Sequence, residues 1–227
     1  MTTTAQTILD KVARELHDIS GLRWTRAELL AWLNDGLRQI VLQQPTATNT
    51  VSAVKLSSGT RQTLPTGGWL LLNVVRNMGT DGATPGRAVR VVSRELMNAF
   101  NPDWHTDTAT AAARNFIYDL ADQTKFFVYP PNDGTGYVEI NYSSQPSDLT
   151  AESQTIPMFD IYQQALMDYI MYRTCMKNVD YAQGAQLAAG YLATFNAGLG
   201  AKETSEIKAT PEQALGPRNV AAGGSDS

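Results

Sequence analysis

The apolar pattern from Ile156 to Ala201 predicts a pair of consecutive helices. Its first half has apolar residues at three- and four-residue spacing: Ile161, Tyr162, Ala165, Leu166, Tyr169 and Ile170. Four polar residues fall on the opposite side of this helix, namely Asp160, Gln163, Gln164 and Asp168. Lys177 and Asn178 favour an end to the helix, and a second helix is expected from Asp180 to Leu199. The pair is an αα-hairpin that needs partners to bury its apolar faces.

Two further helices are predicted at the start of the chain. The first covers about Ala5 to Asp18, with Ile8, Val12 and Leu16 on one stripe. Thr25 stands three residues before Glu28, the spacing of a capping box that opens the second helix. That helix ends before Pro45. Packing the front pair of helices on the back pair gives a four-helix core.

The middle of the chain has the shorter alternation that is typical of strands. Strands are expected near 51–56, 69–78, 87–92, 115–120, 126–129 and 137–142, with a short helix capped by Ser93 and ending at Phe100. The runs 69–78 and 87–92 flank a glycine-rich loop, so we expect them to form a hairpin. These elements predict a small, mostly antiparallel β insertion in the helical core.

The predicted fold is therefore α+β, with four parts along the chain. Residues 1–44 form the front helical pair, 45–155 the β-rich insertion and 156–202 the C-terminal hairpin. Residues 203–227 have no aromatic residue, contain two prolines and end in AAGGSDS. Such a segment buries too little surface to offset its ordering entropy, so we expect an extended or disordered tail. Three isolated apolar residues in it could anchor a partner: Ile207, Leu215 and Val220.

Composition excludes several classes of protein. The formal net charge of −4 argues against a general nucleic-acid binder, which needs a basic face. No apolar run is long enough to span a membrane, and the N-terminus does not resemble a signal peptide. Cys175 is the single cysteine, so neither an internal disulfide nor a cysteine-built zinc site is expected. We expect the protein to fold in a reducing cytoplasm.

Candidate catalytic and metal-binding residues are few. The chain has two histidines: His17, at the end of the first helix, and His105, in a polar loop. Asp103, His105 and Asp107 could together hold a metal, although alternating polar residues are common in loops. None of the phosphate-binding, serine-hydrolase or zinc-protease motifs is present. We therefore predict no catalytic, cofactor-binding or metal-ligating residue.

Two weaker possibilities concern the β insertion. Asp119 and Glu139 are the carboxylates that a glycoside-cleaving site could use, but charges at solvated strand edges are the more common explanation. The second possibility is a platform for stacking nucleic-acid bases. It would use the aromatic residues of the strands: Phe116, Tyr118, Phe126, Phe127, Tyr129, Tyr137 and Tyr142. Because few basic residues lie near them, we expect these aromatics to form core or cross-strand contacts instead.

The order of these segments resembles one family, the head-to-tail adaptor proteins of short-tailed bacteriophages, also called connector or tail tubular A proteins. The segment RWTRAELLAWLNDG, from Arg23 to Gly36, resembles their second helix. The aromatic strands from Asn115 to Pro130 and from Val138 to Pro146 are similar to their β region. The back hairpin, with ALMDY at 165–169 and GYLATF at 190–195, is also similar. The resemblance extends over about residues 5–200.

This resemblance implies a structural component of the virion and no enzymatic activity. Such adaptors form a ring, usually of twelve copies, between the portal and the tail nozzle, and DNA passes through the ring without specific binding. The C-terminal tail docks on the portal, so Ile207, Leu215 and Val220 are the expected docking residues. The ring would be assembled in the host cytoplasm and lie in the neck of the virion. The alternatives are a tail-associated polysaccharide-degrading enzyme, another neck or head-completion protein, or a small binding module without a ring.

Overall fold

The protein combines α-helices and β-sheets, as the predicted α+β class requires. The computed structural model describes residues 3–119, 121–178 and 183–209, without the side chains of 203 and 205–209. The helices are α1 (Ala5–Glu15), α2 (Arg26–Gln43), α3 (Arg94–Phe100), α4 (Gln163–Lys177) and α5 (Gly184–Ala209). The strands are β1 (Asn49–Lys55), β2 (Gly59–Thr63), β3 (Gly68–Asn77), β4 (Arg90–Val91), β5 (Asn115–Tyr118), β6 (Lys125–Asn132) and β7 (Tyr137–Ser144). Short 3₁₀ turns lie at Pro45–Thr48 and Asp160–Tyr162.

The chain divides into two compact units, and the boundary falls inside α2. The β unit comprises Asn34–Phe159 and the N-terminal residues through Ala5, and the helical unit comprises Gln6–Leu33 and the residues from Asp160 onward. The N-terminal residues belong to the β unit through backbone bonds: Ile156 N–H donates to Thr3 O (2.9 Å) and Ala5 N–H to Gln154 O (3.0 Å).

The β unit contains two sheets that enclose one core. The first sheet has the order β1-β7-β3 and the second the order β2-β6-β5-β4. Alternate residues of the strands point between the sheets and are buried: Leu71, Val74, Phe116, Phe126, Val128, Val138, Ile140 and Tyr142. On the outer face of the second sheet, Ile117 packs with Met97 of α3 and with Trp104. The predicted two-residue alternation therefore does decide which side chains reach the core.

The predicted hairpin between 69–78 and 87–92 is present only at its loop end. There, Arg76 and Ala88 form an antiparallel bridge and Asn77 N–H donates to Arg87 O (2.9 Å). Beyond it the chain crosses to the second sheet, where β4 pairs in parallel with β5. Val89 N–H still donates to Val75 O (3.2 Å), but the next residue, Arg90, donates to Arg114 O (3.1 Å). The crossing places the Val89 side chain in the core between the sheets, which local alternation could not indicate.

In the helical unit, α4 is enclosed on most of its circumference. Eight of its fifteen residues are buried, among them Asp168. The prediction that Asp168 lies on an exposed side is therefore wrong, and so is the buried position predicted for Ile161, which is exposed. Gln164 Nε2 donates to Asp168 Oδ1 (2.9 Å), so the enclosed carboxylate keeps a hydrogen-bond partner. Burial nevertheless raises the pKa of Asp168 above its ordinary value.

Helix α5 extends farther than the hydrophobic stripe indicated. It continues to Ala209, whereas we expected the helix to end near Leu199 and the tail to begin at Glu203. The sequence AKETSEIKA at 201–209 has good helix formers, and the first proline beyond it is Pro211. Helix propensity therefore extends the element after its apolar stripe has ended.

Candidate interaction surfaces

Two residues of the possible metal site, His105 and Asp107, have other side-chain partners. His105 Nδ1 lies 2.8 Å from Thr60 Oγ1, and the imidazole stacks on Trp104 at 3.7 Å between centroids. Asp107 Oδ2 accepts from Asn101 Nδ2 (2.8 Å) and from the Tyr129 hydroxyl (3.0 Å). Burial, with a smaller effect of the nearby Arg94 charge, lowers the pKa of His105. Among the described residues, no cluster of three or more His, Cys, Asp or Glu side chains could hold a metal ion.

The two candidate carboxylates lie apart, on different sheets, and each faces an arginine. Glu139 of β7 accepts two hydrogen bonds from Arg76 of β3, from Nε (2.8 Å) and Nη2 (3.3 Å). Asp119 follows β5 in the second sheet, with its Oδ1 3.6 Å from Arg94 Nη2. This arrangement resembles structural ion pairs and does not form a pair of carboxylates facing one substrate.

The strand aromatics are mostly part of the β-unit core. Phe116, Phe126 and Tyr142 are buried, and the Tyr118 hydroxyl donates to Leu72 O (2.5 Å). Phe127 is covered by the Arg94 guanidinium, 4.8 Å from its ring centroid. The interpretation of the aromatics as core and cross-strand residues is therefore confirmed for these five rings.

Large apolar side chains are exposed on several separate elements of the protein. Ile19 and Leu22 lie in the loop between α1 and α2, Leu96 and Phe100 on one face of α3, and Leu187 on α5. Leu22 and Phe100 are the most exposed, at 89% and 87%. Apolar side chains exposed singly are normal on protein surfaces, so these residues are candidate contacts but do not by themselves identify a partner.

The loop between α1 and α2 has a defined conformation, which Asp18 fixes. Its Oδ1 accepts from Leu22 N–H (2.9 Å), and its Oδ2 accepts from the N–H groups of Arg23 (2.9 Å) and Trp24 (2.8 Å). The bond from Trp24 is the largest of the effects that lower the pKa of Asp18. His17, just before it, has a φ of 53°, the left-handed conformation that ends many helices. The exposed Leu22 is therefore displayed on an ordered loop.

A groove in the β unit adds a further apolar surface. Its volume is about 330 Å³. It lies between the second half of α2 and the first sheet, and Leu42, Trp69 and Pro146 line it with Arg38 at the edge. Trp69 is held in place because its indole Nε1 donates to Ser143 Oγ (2.9 Å).

Sequence reasoning missed most of these surfaces, since a single exposed apolar residue has no periodic signal. It named instead Ile207, Leu215 and Val220. Ile207 falls in α5, but its side chain lies outside the described residues, and so do Leu215 and Val220. The spacing of Leu96 and Phe100 places both on one face of a seven-residue helix, but it does not show whether that face meets the neighbouring sheet.

Comparison with known proteins identifies the family. Residues 3–221 match the sequence model of the family described as SU10 adaptor protein, which is nearly the whole chain. No curated protein matches the chain. None of the described helices is long and apolar enough to cross a membrane. The match confirms the resemblance to phage head-to-tail adaptors, and this family is one of structural proteins of the virion, not of enzymes. The chain belongs to the SU10 adaptor protein family.

Proposed function

We propose that twelve copies of this protein form the ring that joins the portal of a short-tailed bacteriophage to its tail nozzle and continues the DNA channel. The family match over residues 3–221 is the observation that supports this most directly. The exposed apolar groups on the α1–α2 loop, on α3 and on α5 agree with it. A ring subunit needs two unlike lateral contacts, and an adaptor needs further contacts above and below the ring.

The helical unit supplies a four-helix core in this proposal. Its helices are linked by polar contacts on several sides: Arg26 Nη2 to Asp10 Oδ1 (2.7 Å), Lys11 Nζ to Gln163 Oε1 (3.1 Å) and an ion pair between Lys177 and Glu28. The Lys177 ammonium also lies 5.4 Å from the ring centroid of Trp24, a cation–π contact. These contacts connect α1 with α2 and connect both with α4.

Helix α5 joins the same core through Phe195, which is buried. The ring of Phe195 lies 5.5 Å from that of Tyr169 on α4, measured between centroids. This contact packs α5 on α4, as the proposed core requires.

The C-terminal tail docks on the portal in this proposal, through Ile207, Leu215 and Val220. Helix α5 takes the chain as far as Ala209, and the residues beyond it include Pro211 and Pro217. A segment that becomes ordered only on its partner bears its entropy cost at that step, which makes assembly sequential. The ring would form in the host cytoplasm and become part of the virion neck.

DNA passes through the ring without specific binding. The net charge of −4 supports this, because a channel that held DNA would place lysine and arginine side chains on many phosphates. An enzymatic function finds no support in the described residues, since Asp119 and Glu139 each face an arginine on different sheets.

The test is sedimentation velocity of the full chain, alone and mixed with the portal protein of the same genome. We expect the protein to move with the portal at about one adaptor per portal subunit. A chain that ends at Lys202 lacks all three docking residues, so it should keep its fold but no longer bind the portal. A Leu215→Ser, Val220→Ser variant of the full chain should bind the portal more weakly. The matched control replaces the neighbouring Gln213 and Asn219 by serine. A truncated chain that still binds the portal would disprove tail docking, and a full chain that ignores the portal would favour another neck protein.

A further inference from the structure

The β unit has four sheet edges within the described residues, one at each end of its two sheets. The edge strands are β1 and β3 in the first sheet and β2 and β4 in the second. An open edge presents unpaired N–H and C=O groups, and natural proteins protect such edges with bulges, charges, short strands or a covering segment.

Three of the four edges have such protection. Strand β3 has three shifts of register against β7, and Leu71 N–H donates to Gln123 O (3.3 Å) on its outer side. Strand β2 has a register shift and Arg61 at its centre. Strand β4 has only two residues, one of them Arg90.

Strand β1 has none of these protections. It has seven residues, NTVSAVK, and pairs with β7 from Asn49 to Lys55 without a register shift. Its one charged residue, Lys55, is at the end, and proline is absent from it. Val51, near its centre, is 56% exposed. A long, regular and nearly uncharged edge of this kind is a template for another strand.

The backbone groups that face outward from β1 can be identified. Leu56 N–H donates to Gly136 O (2.9 Å), and partners alternate along an antiparallel pair. Thr50, Ser52 and Val54 therefore direct their N–H and C=O groups to β7. Val51 and Ala53 direct theirs away from it, and no strand of the described residues pairs with that side.

We propose that β1 pairs in antiparallel fashion with β1 of a second copy of this chain. The other three edges of a neighbouring copy are protected, so the open edge is the complementary one. If Val51 lies opposite Ala53 of the second copy, Ser52 lies opposite Ser52 of that copy and Thr50 lies opposite Val54. Asn49 N–H already donates to Thr46 O, so the new pairing is centred on residues 50–54. Lys55 of each copy then lies opposite Asn49 of the other, so the two lysine charges stay apart.

This pairing is independent of the proposed ring. A contact in which each copy uses the same strand has two-fold symmetry and closes after two copies. A ring whose subunits all point in one direction needs a contact that repeats without a two-fold axis. The β1 pair is therefore a form of the protein outside the ring, in which the open edges protect each other.

A cysteine at Ser52 tests the register directly. In the proposed pairing, the two Ser52 residues form a non-hydrogen-bonded pair. The Cα atoms of such a pair are about 4.5 Å apart, a distance that allows a disulfide. In the full chain with Cys175→Ala, we expect Ser52→Cys to form a covalent dimer under mild oxidation. Thr50→Cys alone should not form the covalent dimer, because residue 50 of one copy lies roughly 13 Å from residue 50 of the other along the strands. A mixture of Thr50→Cys with Val54→Cys should again form the dimer, since those positions are opposed.

A second measurement needs no new cysteine. Sedimentation of the unmodified chain should show a monomer–dimer equilibrium, and the Val51→Lys, Ala53→Lys variant should weaken it about tenfold or more through charge repulsion. Both side chains are exposed, so the fold should survive. The control is Thr63→Lys on the β2 edge, which should leave the equilibrium unchanged.

Ser52→Cys chains that link no faster than Thr50→Cys chains would overturn the proposal. The unmodified protein could also prove to be monomeric. If the Val51→Lys, Ala53→Lys variant then no longer bound the portal or the nozzle protein, the β1 edge would be assigned to that partner instead.

Discussion

Helices α4 and α5 are neighbours in the helical unit, but they differ in how much of each is buried. Their aromatic side chains meet, with the rings of Tyr169 and Phe195 5.5 Å apart. Eight of the fifteen residues of α4 are buried. From Gly184 to Lys202, α5 buries only one narrow stripe, formed by Gly184, Ala188, Phe195 and Leu199. The remaining positions of that stretch are exposed or half-buried.

The difference separates a helix that holds the unit together from one that leaves a face open. In α4, even Asp168 is enclosed, and the residue is only 5% exposed. In α5, a Cβ atom added at Gly190, Gly198 or Gly200 would meet nothing within 4 Å. Helical periodicity is similar in both sequences, so tertiary packing decides the difference: no segment of the described residues packs on these glycines of α5. In the proposed ring, such a segment would come from another chain.

The largest expected effect comes from truncating a core residue of α4. Ile170 is fully buried, so Ile170→Ala should lower the free energy of unfolding by about 2–5 kcal/mol, the sum of lost burial and a new cavity. Urea unfolding followed by circular dichroism measures this. The comparison is Leu187→Ala on α5, where the side chain is 47% exposed and the change should stay within about 0.5 kcal/mol. Equal losses at the two sites would contradict the contrast between the helices.

An intermediate effect is expected at Asp168. Burial raises its pKa in the folded protein above the ordinary 3.8, so the folded state binds this proton more tightly than the unfolded state does. This group's contribution to stability therefore falls as the pH rises from about 3.8 through the raised pKa. Asp168→Asn should raise the urea midpoint at neutral pH, because the amide oxygen can still accept from Gln164 without a buried charge.

The pH dependence supplies the control for this substitution. Below the ordinary pKa of 3.8 the carboxyl is protonated in both states, so the two proteins should have nearly equal midpoints there. A gain from Asp168→Asn that is the same at acid and neutral pH would mean that ionisation is not its cause.

The smallest expected effect is a gain on the open face of α5. Gly198→Ala should stabilise the free protein by about 0.5–1 kcal/mol, since alanine restricts the unfolded chain and meets no neighbour in the helix. Thermal unfolding measures the gain. The matched control is Gly21→Ala, which should destabilise because Gly21 has a φ of 65°. A loss of stability at Gly198 would show that this face is covered in the free protein.

Much of the fold followed from local patterns. The apolar periodicity predicted α1, α2, α4 and α5, and alternation predicted most of the strands. Two predicted caps are present: Ser93 Oγ accepts from Leu96 N–H (3.2 Å) and Thr25 Oγ1 accepts from Glu28 N–H (3.4 Å). These predictions succeed because a helix or strand and its cap depend on residues a few positions apart. The order of the segments also sufficed for the family resemblance.

The interaction surfaces were less predictable. The tail residues were chosen from composition, whereas Leu22, Phe100 and the β1 edge became visible only with the fold. Leu22 is displayed because Asp18 accepts three backbone bonds from its loop, and Phe100 is exposed because its helix packs through Met97. Neither exposure can be read from the identity of the residue.

The sequence by itself determined the helices, most of the strands, their order and the two-residue alternation that selects the β-unit core, but not β2. Tertiary structure decided which strands are neighbours, so that β3 and β4 belong to different sheets and β1 keeps an open edge. It also decided that α4 is enclosed together with Asp168 while α5 keeps an open face. The physical reason is the range of the interactions: periodicity and capping act over a few residues, whereas burial depends on segments far apart in the chain.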